Sequence, residues 1–164
     1  MAFKQIEGDF KEQYRRLYDY SNELLRSNPG STVKVMVEPN ENNRIFKRMY
    51  VCFKAYMDNF VSCRPIIGLD GCFLKGKYGG ELLTTVARDG NEQTCPLAYA
   101  VVEMENKDNW IWFLELLIDD LGGEELSSTI TYISDQQKGL VPTLQEFSTW
   151  CGTQILSVPH LCKF

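Results

Sequence analysis

The chain has 164 residues, which fits about one domain at roughly 100–200 residues per domain. Hydrophobic residues are 44% and charged residues 24%, and no apolar run approaches the ~18 residues of a membrane-spanning helix. This excludes a helical membrane protein and a wholly disordered chain. The net charge of −5 opposes a polyanionic partner on average, but it is unevenly spread. Residues 1–80 carry 13 Lys/Arg and 9 Asp/Glu, a net of +4, whereas residues 81–164 carry 4 and 13, a net of −9. Contacts with nucleic acid are therefore expected from the first half. The N-terminal Met1-Ala2-Phe3-Lys4-Gln5-Ile6-Glu7-Gly8-Asp9 turns polar where a secretory segment stays apolar, which predicts an intracellular protein. Its six cysteines, none in a C-x-x-C pair, are then expected to stay reduced, without a disulfide scaffold or a zinc finger of the usual spacing.

Phe10, Tyr14, Leu17, Tyr18, Leu24 and Leu25 fall on one helical face, with Asp9 and Glu12 placed as a capping box and Asn28-Pro29-Gly30 as the stop. Thr32 to Val37 alternates like a strand, Pro39 to Asn43 reads as a turn, and Phe46 to Ala55 is rich in β-branched and aromatic residues. Residues 1–63 thus form a helix-hairpin segment preceding a core at 64–164. The core opens with Arg64-Pro65-Ile66-Ile67-Gly68-Leu69-Asp70-Gly71, a short apolar run of a strand covered on both faces and closed by Asp70. Glu81 to Arg88 and Cys95 to Glu103 follow as strands joined across Asp89-Gly90-Asn91. Asn109 is placed to cap a helix whose apolar face is Trp110, Phe113, Leu114, Leu117, Ile118 and Leu121, with Gly122 at its left-handed end. Thr129 to Ile133 is a strand ending in Ser134-Asp135. A helix with Leu140, Val141, Leu144 and Phe147 on one face and a strand from Gln154 to Val158 complete the chain.

The order from Ile66 is β-β-β-α-β-α-β, with carboxylates at the exits of the first and fourth strands. A helical crossover makes those two strands parallel, and if they are neighbours their exits lie ~5 Å apart. Asp70 and Asp135 would then share a crevice beyond the strand ends, where two oxygen donors suit Mg²⁺ or Mn²⁺. Each also has a local role open to it: Asp70-Gly71 as a turn dipeptide and Ser134-Asp135 as a helix N-cap.

Three ordered blocks carry a family resemblance. The run from Arg64 through Asp70-Gly71-Cys72-Phe73-Leu74-Lys75-Gly76-Lys77-Tyr78-Gly79-Gly80 to Leu83 resembles the first catalytic block of plant Mutator-like element (MULE) transposases. Pro96 to Glu103 followed by Asn109-Trp110-Ile111-Trp112-Phe113-Leu114 is similar to a second block. Ile133-Ser134-Asp135-Gln136-Gln137-Lys138-Gly139-Leu140 is similar to the motif of the second catalytic aspartate. The resemblance implies an α/β fold: a truncated RNase H-like mixed sheet flanked by helices, preceded by the N-terminal helix and β-hairpin. It also implies metal-dependent DNA cleavage and strand transfer in the nucleus, with transposon ends as partner and no small-molecule substrate.

Asp70 and Asp135 carry over as catalytic and metal-binding residues, holding Mg²⁺ or Mn²⁺ in a weak, incomplete site. The family's glutamate, which follows a Cys-x-x-His element, has no counterpart before Phe164. The chain is therefore expected to be a fragment without full activity, the other reading being a non-catalytic, transposase-derived regulator of transcription. Lys75, Lys77 and Lys138 are candidates for DNA phosphate contacts against a merely solvated role. His160 is expected to be a tail residue, Trp110 and Trp112 core residues, and Cys72 a small residue in a packed strand exit. Ile155, Leu156 and Val158 are expected to leave an apolar strand uncovered near a sheet edge, which predicts self-association.

Overall fold

The computed structural model describes residues 10–40, 43–76, 78–134, 140, 143, 144, 146 and 154–157. In chain order the elements are α1 (Phe10–Arg15), α2 (Leu17–Ser27), β1 (Thr32–Asn40), β2 (Asn43–Cys52), α3 (Lys54–Phe60), β3 (Cys63–Phe73), β4 (Glu81–Asp89) and β5 (Thr94–Val102). They continue with α4 (Lys107–Leu121), α5 (Glu124–Ser127), β6 (Thr131–Ser134) and β7 (Gln154–Ser157). The fold is α/β: one seven-stranded mixed sheet in the order β1-β2-β5-β4-β3-β6-β7, flanked by helices. The first five strands in that order pair antiparallel, and β6 and β7 add on parallel to β3. The N-terminal hairpin extends the same sheet through the antiparallel pairing of β2 with β5.

The helix of 107–121 forms for the reasons its spacing gives. All six of its predicted apolar positions are buried, and Gly122 ends it at φ 109° while the Gly123 N–H donates to the Ile118 carbonyl at 2.8 Å. The expected cap is displaced by three residues. Asn106 caps the helix, its Oδ1 accepting the Asn109 N–H at 2.8 Å. Asn109 instead donates to the Met104 carbonyl and accepts from Arg48 at 3.1 Å. Helix α4 lies on the face of the sheet that carries Tyr50, Leu83, Ala100 and Val102, and these residues form one core with Trp110, Phe113, Leu114 and Leu117. Leu140 and Leu144 join that core as expected, while Val141 and Phe147 lie outside the described residues.

The opposite face is covered at its β1-β2 end by α2, and Met49 and Val51 are buried there. Instead of one N-terminal helix there are two segments broken at Arg16, though the Arg16 N–H to Glu12 and Tyr20 N–H to Arg16 bonds nearly join them. The expected apolar face is only partly covered, since Tyr14, Tyr18 and Leu25 stay exposed. Asp9 of the expected capping box lies outside the described residues, and the Glu12 carboxylate pairs with Arg16 at 2.9 Å.

Two further expectations are corrected. The strand predicted to run to Ala55 stops at Cys52, and 54–60 is helical, because the Ser31 hydroxyl, 23 residues upstream, accepts the Lys54 N–H at 3.0 Å. Asp70 does not end its strand, because β4 offers pairing partners as far as Phe73↔Glu81. Cys72 is accordingly exposed, not packed. In the β4-β5 loop the Asp89 carboxylate accepts the N–H groups of Asn91 and Gln93, both at 2.8 Å, and the left-handed residue is Glu92. At the β6-β7 end Leu156 and Ile66 are exposed, and Val158 lies outside the described residues.

Glu81 enters β4 as a buried carboxylate on the α4 face, and its Oε2 has no hydrogen-bond partner. Burial raises its pKa above the ordinary 4.5, with a backbone hydrogen bond from Glu105 acting in the other direction. The folded chain then holds a proton that the unfolded chain has already released, so this group's contribution to stability falls as pH rises from about 4 through the raised value. Glu81→Gln is expected to raise the melting temperature at pH 7 and to give no gain at pH 4. Thermal melts at the two pH values check this, and an equal gain at both would remove the charge as the cause.

Candidate metal and nucleic-acid site

Residues directly opposite each other on neighbouring strands share a face, as do alternate residues along a strand. Asp70 pairs with Thr84, and so lies on the face opposite α4, the face shared by Leu82, Tyr99 and Val101. Its carboxylate is half-buried, with Oδ1 accepting the Gly71 N–H at 2.9 Å, and the Thr84 hydroxyl donates to its carbonyl at 3.2 Å. The turn-dipeptide role is excluded by the continuous β3-β4 ladder on both sides of Asp70-Gly71.

Strand β6 lies against β3 in parallel, with pairs Ile66↔Thr131, Ile67↔Tyr132, Gly68↔Ile133 and Leu69↔Ser134. The last pair stands one residue before Asp70 on one strand and one residue before Asp135 on the other. The expected adjacency of the two strands is therefore present. Asp135 and Lys138 lie outside the described residues, as does Lys77. Among the described residues no group of three His, Cys, Asp or Glu side chains could hold a metal ion. Glu146 is exposed and forms an ion pair with Lys107.

Lys75 is exposed in the loop between β3 and β4. The hairpin stays extended past Phe73, with the Leu74 N–H donating to the Gly80 carbonyl at 2.9 Å, so Lys75 stands about 17 Å along the chain from Asp70 at ~3.3 Å per residue. Trp110 is fully buried, and Trp112 is half-buried with the Arg48 guanidinium 4.4 Å from its ring centre. Cys52, Cys63, Cys72 and Cys95 are free thiols. His160 lies outside the described residues.

A family model, the MULE transposase domain, matches residues 66–163, more than half of the chain. The chain belongs to the MULE transposase family. The match begins in β3, four residues before Asp70, and runs through β6 to the residues beyond β7. Comparisons with curated proteins and with solved structures gave no match.

One feature beside the site has no signal in the sequence. On the same face, an apolar cavity of about 300 Å³ is lined by Tyr14, Phe46, Met49, Leu74, Tyr78 and Val101 with Gln13, Leu17 and two loop glycines. Tyr14 meets Phe46 at 5.4 Å and Tyr78 at 5.8 Å between ring centres. These three rings come from three separate segments, so no spacing rule connects them.

Proposed function

We propose that this chain carries, in incomplete form, the DNA-processing core of a MULE transposase, whose inherited activity is metal-dependent cleavage and strand transfer at transposon ends in the nucleus, with Asp70 and Asp135 as paired carboxylates of an RNase H-like core. The observation that carries this reading is the parallel β3/β6 ladder ending at Leu69↔Ser134, because in the sequence each member of that pair is followed by one of the two aspartates. Three antiparallel strands followed by two parallel ones, with helix α4 between, support the RNase H-like arrangement.

Carboxylate oxygens are hard donors, which suits Mg²⁺ or Mn²⁺ over softer ions. A divalent ion bound there supplies Lewis-acid activation of the attacking oxygen and neutralises charge on the leaving oxygen. The chain's own part would be to hold Asp70 on β3 beside the end of β6 and to present Lys75, Lys77 and Lys138 to phosphates. Residues 136–164 contain one acid, Glu146, and its pairing with Lys107 does not recommend it as a ligand. Asp70 and Asp135 are the two carboxylates this reading assigns, and weak metal binding without strand transfer is expected of these 164 residues on their own.

Titrating Mn²⁺ into the labelled protein should broaden the amide signals of Asp70 and Asp135 together, and Asp70→Asn should abolish both effects. Separate broadening, or broadening that persists in Asp135→Asn, would remove the shared site. Incubation with labelled repeat-end duplex should give binding that falls steeply with salt and no joined product. Strand transfer that disappears in Asp70→Asn would show that two carboxylates suffice.

A further inference from the structure

We infer that the aromatic cavity is a nucleobase pocket, which takes one unpaired nucleotide of the DNA strand being processed. This inference rests on the DNA-processing reading above and adds a substrate contact to it. Met49 pairs with Val101, Val101 with Leu82 and Leu82 with Cys72, so these four form one row across the sheet, and Asp70 is the next residue of β3 on that face. From Val101 to Asp70 is two strands across and two residues along, about 12 Å at ~4.8 Å between strands and ~3.3 Å per residue. That separation spans at most three to four nucleotides, the number at the stacked duplex rise of ~3.4 Å, and fewer in an extended strand. One strand can therefore have a phosphate at Asp70 and a base in the cavity.

The lining is chemically suited to a base. Met49, Leu74 and Val101 provide an apolar floor, and Tyr14, Phe46 and Tyr78 provide aromatic surface, with Tyr14 42% and Tyr78 52% exposed. A base is flat, with an apolar face and polar edges, and stacks on such surface whatever its sequence. Gln13, a further lining residue, carries an amide of the kind that pairs with the edges of a base. A side chain at Gly76 or Gly79 would meet nothing within 4 Å, so the loop backbone is open to close approach by a sugar-phosphate. Lys75, exposed between two lining residues of that loop, supplies the positive charge. At about 300 Å³ the cavity lies at the small end of ligand pockets, which fits one base and not a duplex.

The test compares two end-labelled DNAs by fluorescence anisotropy, a blunt duplex and the same duplex with a four-nucleotide single-stranded extension carrying 2-aminopurine. The extended duplex should bind at least five-fold more tightly, with quenching of the 2-aminopurine. Tyr78→Ala should lose about 5- to 150-fold of affinity for the extended duplex, the span for one lost base-aromatic stack, and leave the blunt duplex within two-fold. Tyr78→Phe should keep the preference. Tyr78 lies on an exposed loop, and unchanged circular dichroism of both variants would show that the fold is kept. Blunt and extended duplexes bound equally, or Tyr78→Ala weakening both alike, would overturn the pocket while the DNA reading stands. No binding of either duplex would overturn both. A change in light-scattering mass in Tyr78→Ala, with DNA affinity unchanged, would assign the cavity to a second copy of the chain and overturn the inference.

Discussion

Replacing Trp110 by alanine should cost the chain about 3–5 kcal/mol of stability at 25 °C. Trp110 is fully buried at the start of α4, its ring meets Phe113 at 5.7 Å and 75°, and its Nε1 donates to Glu105 Oε1 at 3.0 Å. Removing a buried tryptophan costs about 3–5 kcal/mol, and a domain of this size has a total of about 5–15 kcal/mol to lose. The cavity would open between α4 and the sheet, where the core residues Leu83, Ala100 and Val102 of β4 and β5 meet the helix. Trp110→Phe keeps most of the packing and loses the bond to Glu105, so its cost should be nearer 1–2 kcal/mol. Urea unfolding followed by circular dichroism measures both. A loss below about 1 kcal/mol in Trp110→Ala would mean that α4 does not anchor the core.

That helix was also the most legible part of the sequence, because its signals are local. Six apolar residues at helical spacing, and a glycine where the chain must turn left-handed, lie within one short stretch and need no other element to be read. What could not be read depends on contacts distant in sequence. The turn at Lys54 is capped by Ser31, from before the first strand. The true length of β3 is set by β4, so a reading that ended the strand at Asp70-Gly71 took a mid-strand dipeptide for a turn. The pairing of β3 with β6 was within reach, since a helical crossover demands a parallel strand and the two apolar runs are the natural neighbours. The position of Asp70 beside the end of β6 was therefore legible through topology, while its half-buried setting and its face of the sheet were not. The aromatic cavity was illegible for the same reason as the Lys54 turn. Tyr14 reads as one more apolar position on a helix, Phe46 as a strand residue and Tyr78 as part of a motif, and only the folded sheet brings them together.

Asp120→Ala should destabilise the chain by about 2–4 kcal/mol, and adding Tyr50→Phe to it should return part of that loss. Asp120, on α4, accepts the Thr32 hydroxyl on Oδ1 at 2.6 Å and the Tyr50 hydroxyl on Oδ2 at 2.8 Å, tying the helix to β1 and β2. Tyr50 is fully buried, so without Asp120 its hydroxyl loses its bond to that carboxylate and meets a desolvation cost of about 1–3 kcal/mol. Tyr50→Phe removes the stranded donor. The double variant should therefore be more stable than Asp120→Ala alone, and a double-mutant cycle by urea unfolding reads the coupling directly. The same tyrosine gives an alkaline signature. Burial raises its pKa above the ordinary 10, with the neighbouring Cys52 and Asp120 acting in the same direction. The folded chain keeps this proton while the unfolded chain releases it, so the contribution is fully present below pH 10 and is lost as pH rises further. Cys52, raised to about 12 chiefly by burial, acts likewise from pH 9 upward. Between pH 8 and 11 wild type should lose stability more steeply than Tyr50→Phe. Parallel slopes for the two proteins would show that Tyr50 releases its proton over the same pH range in the folded and unfolded chains, and that its burial does not hold the proton.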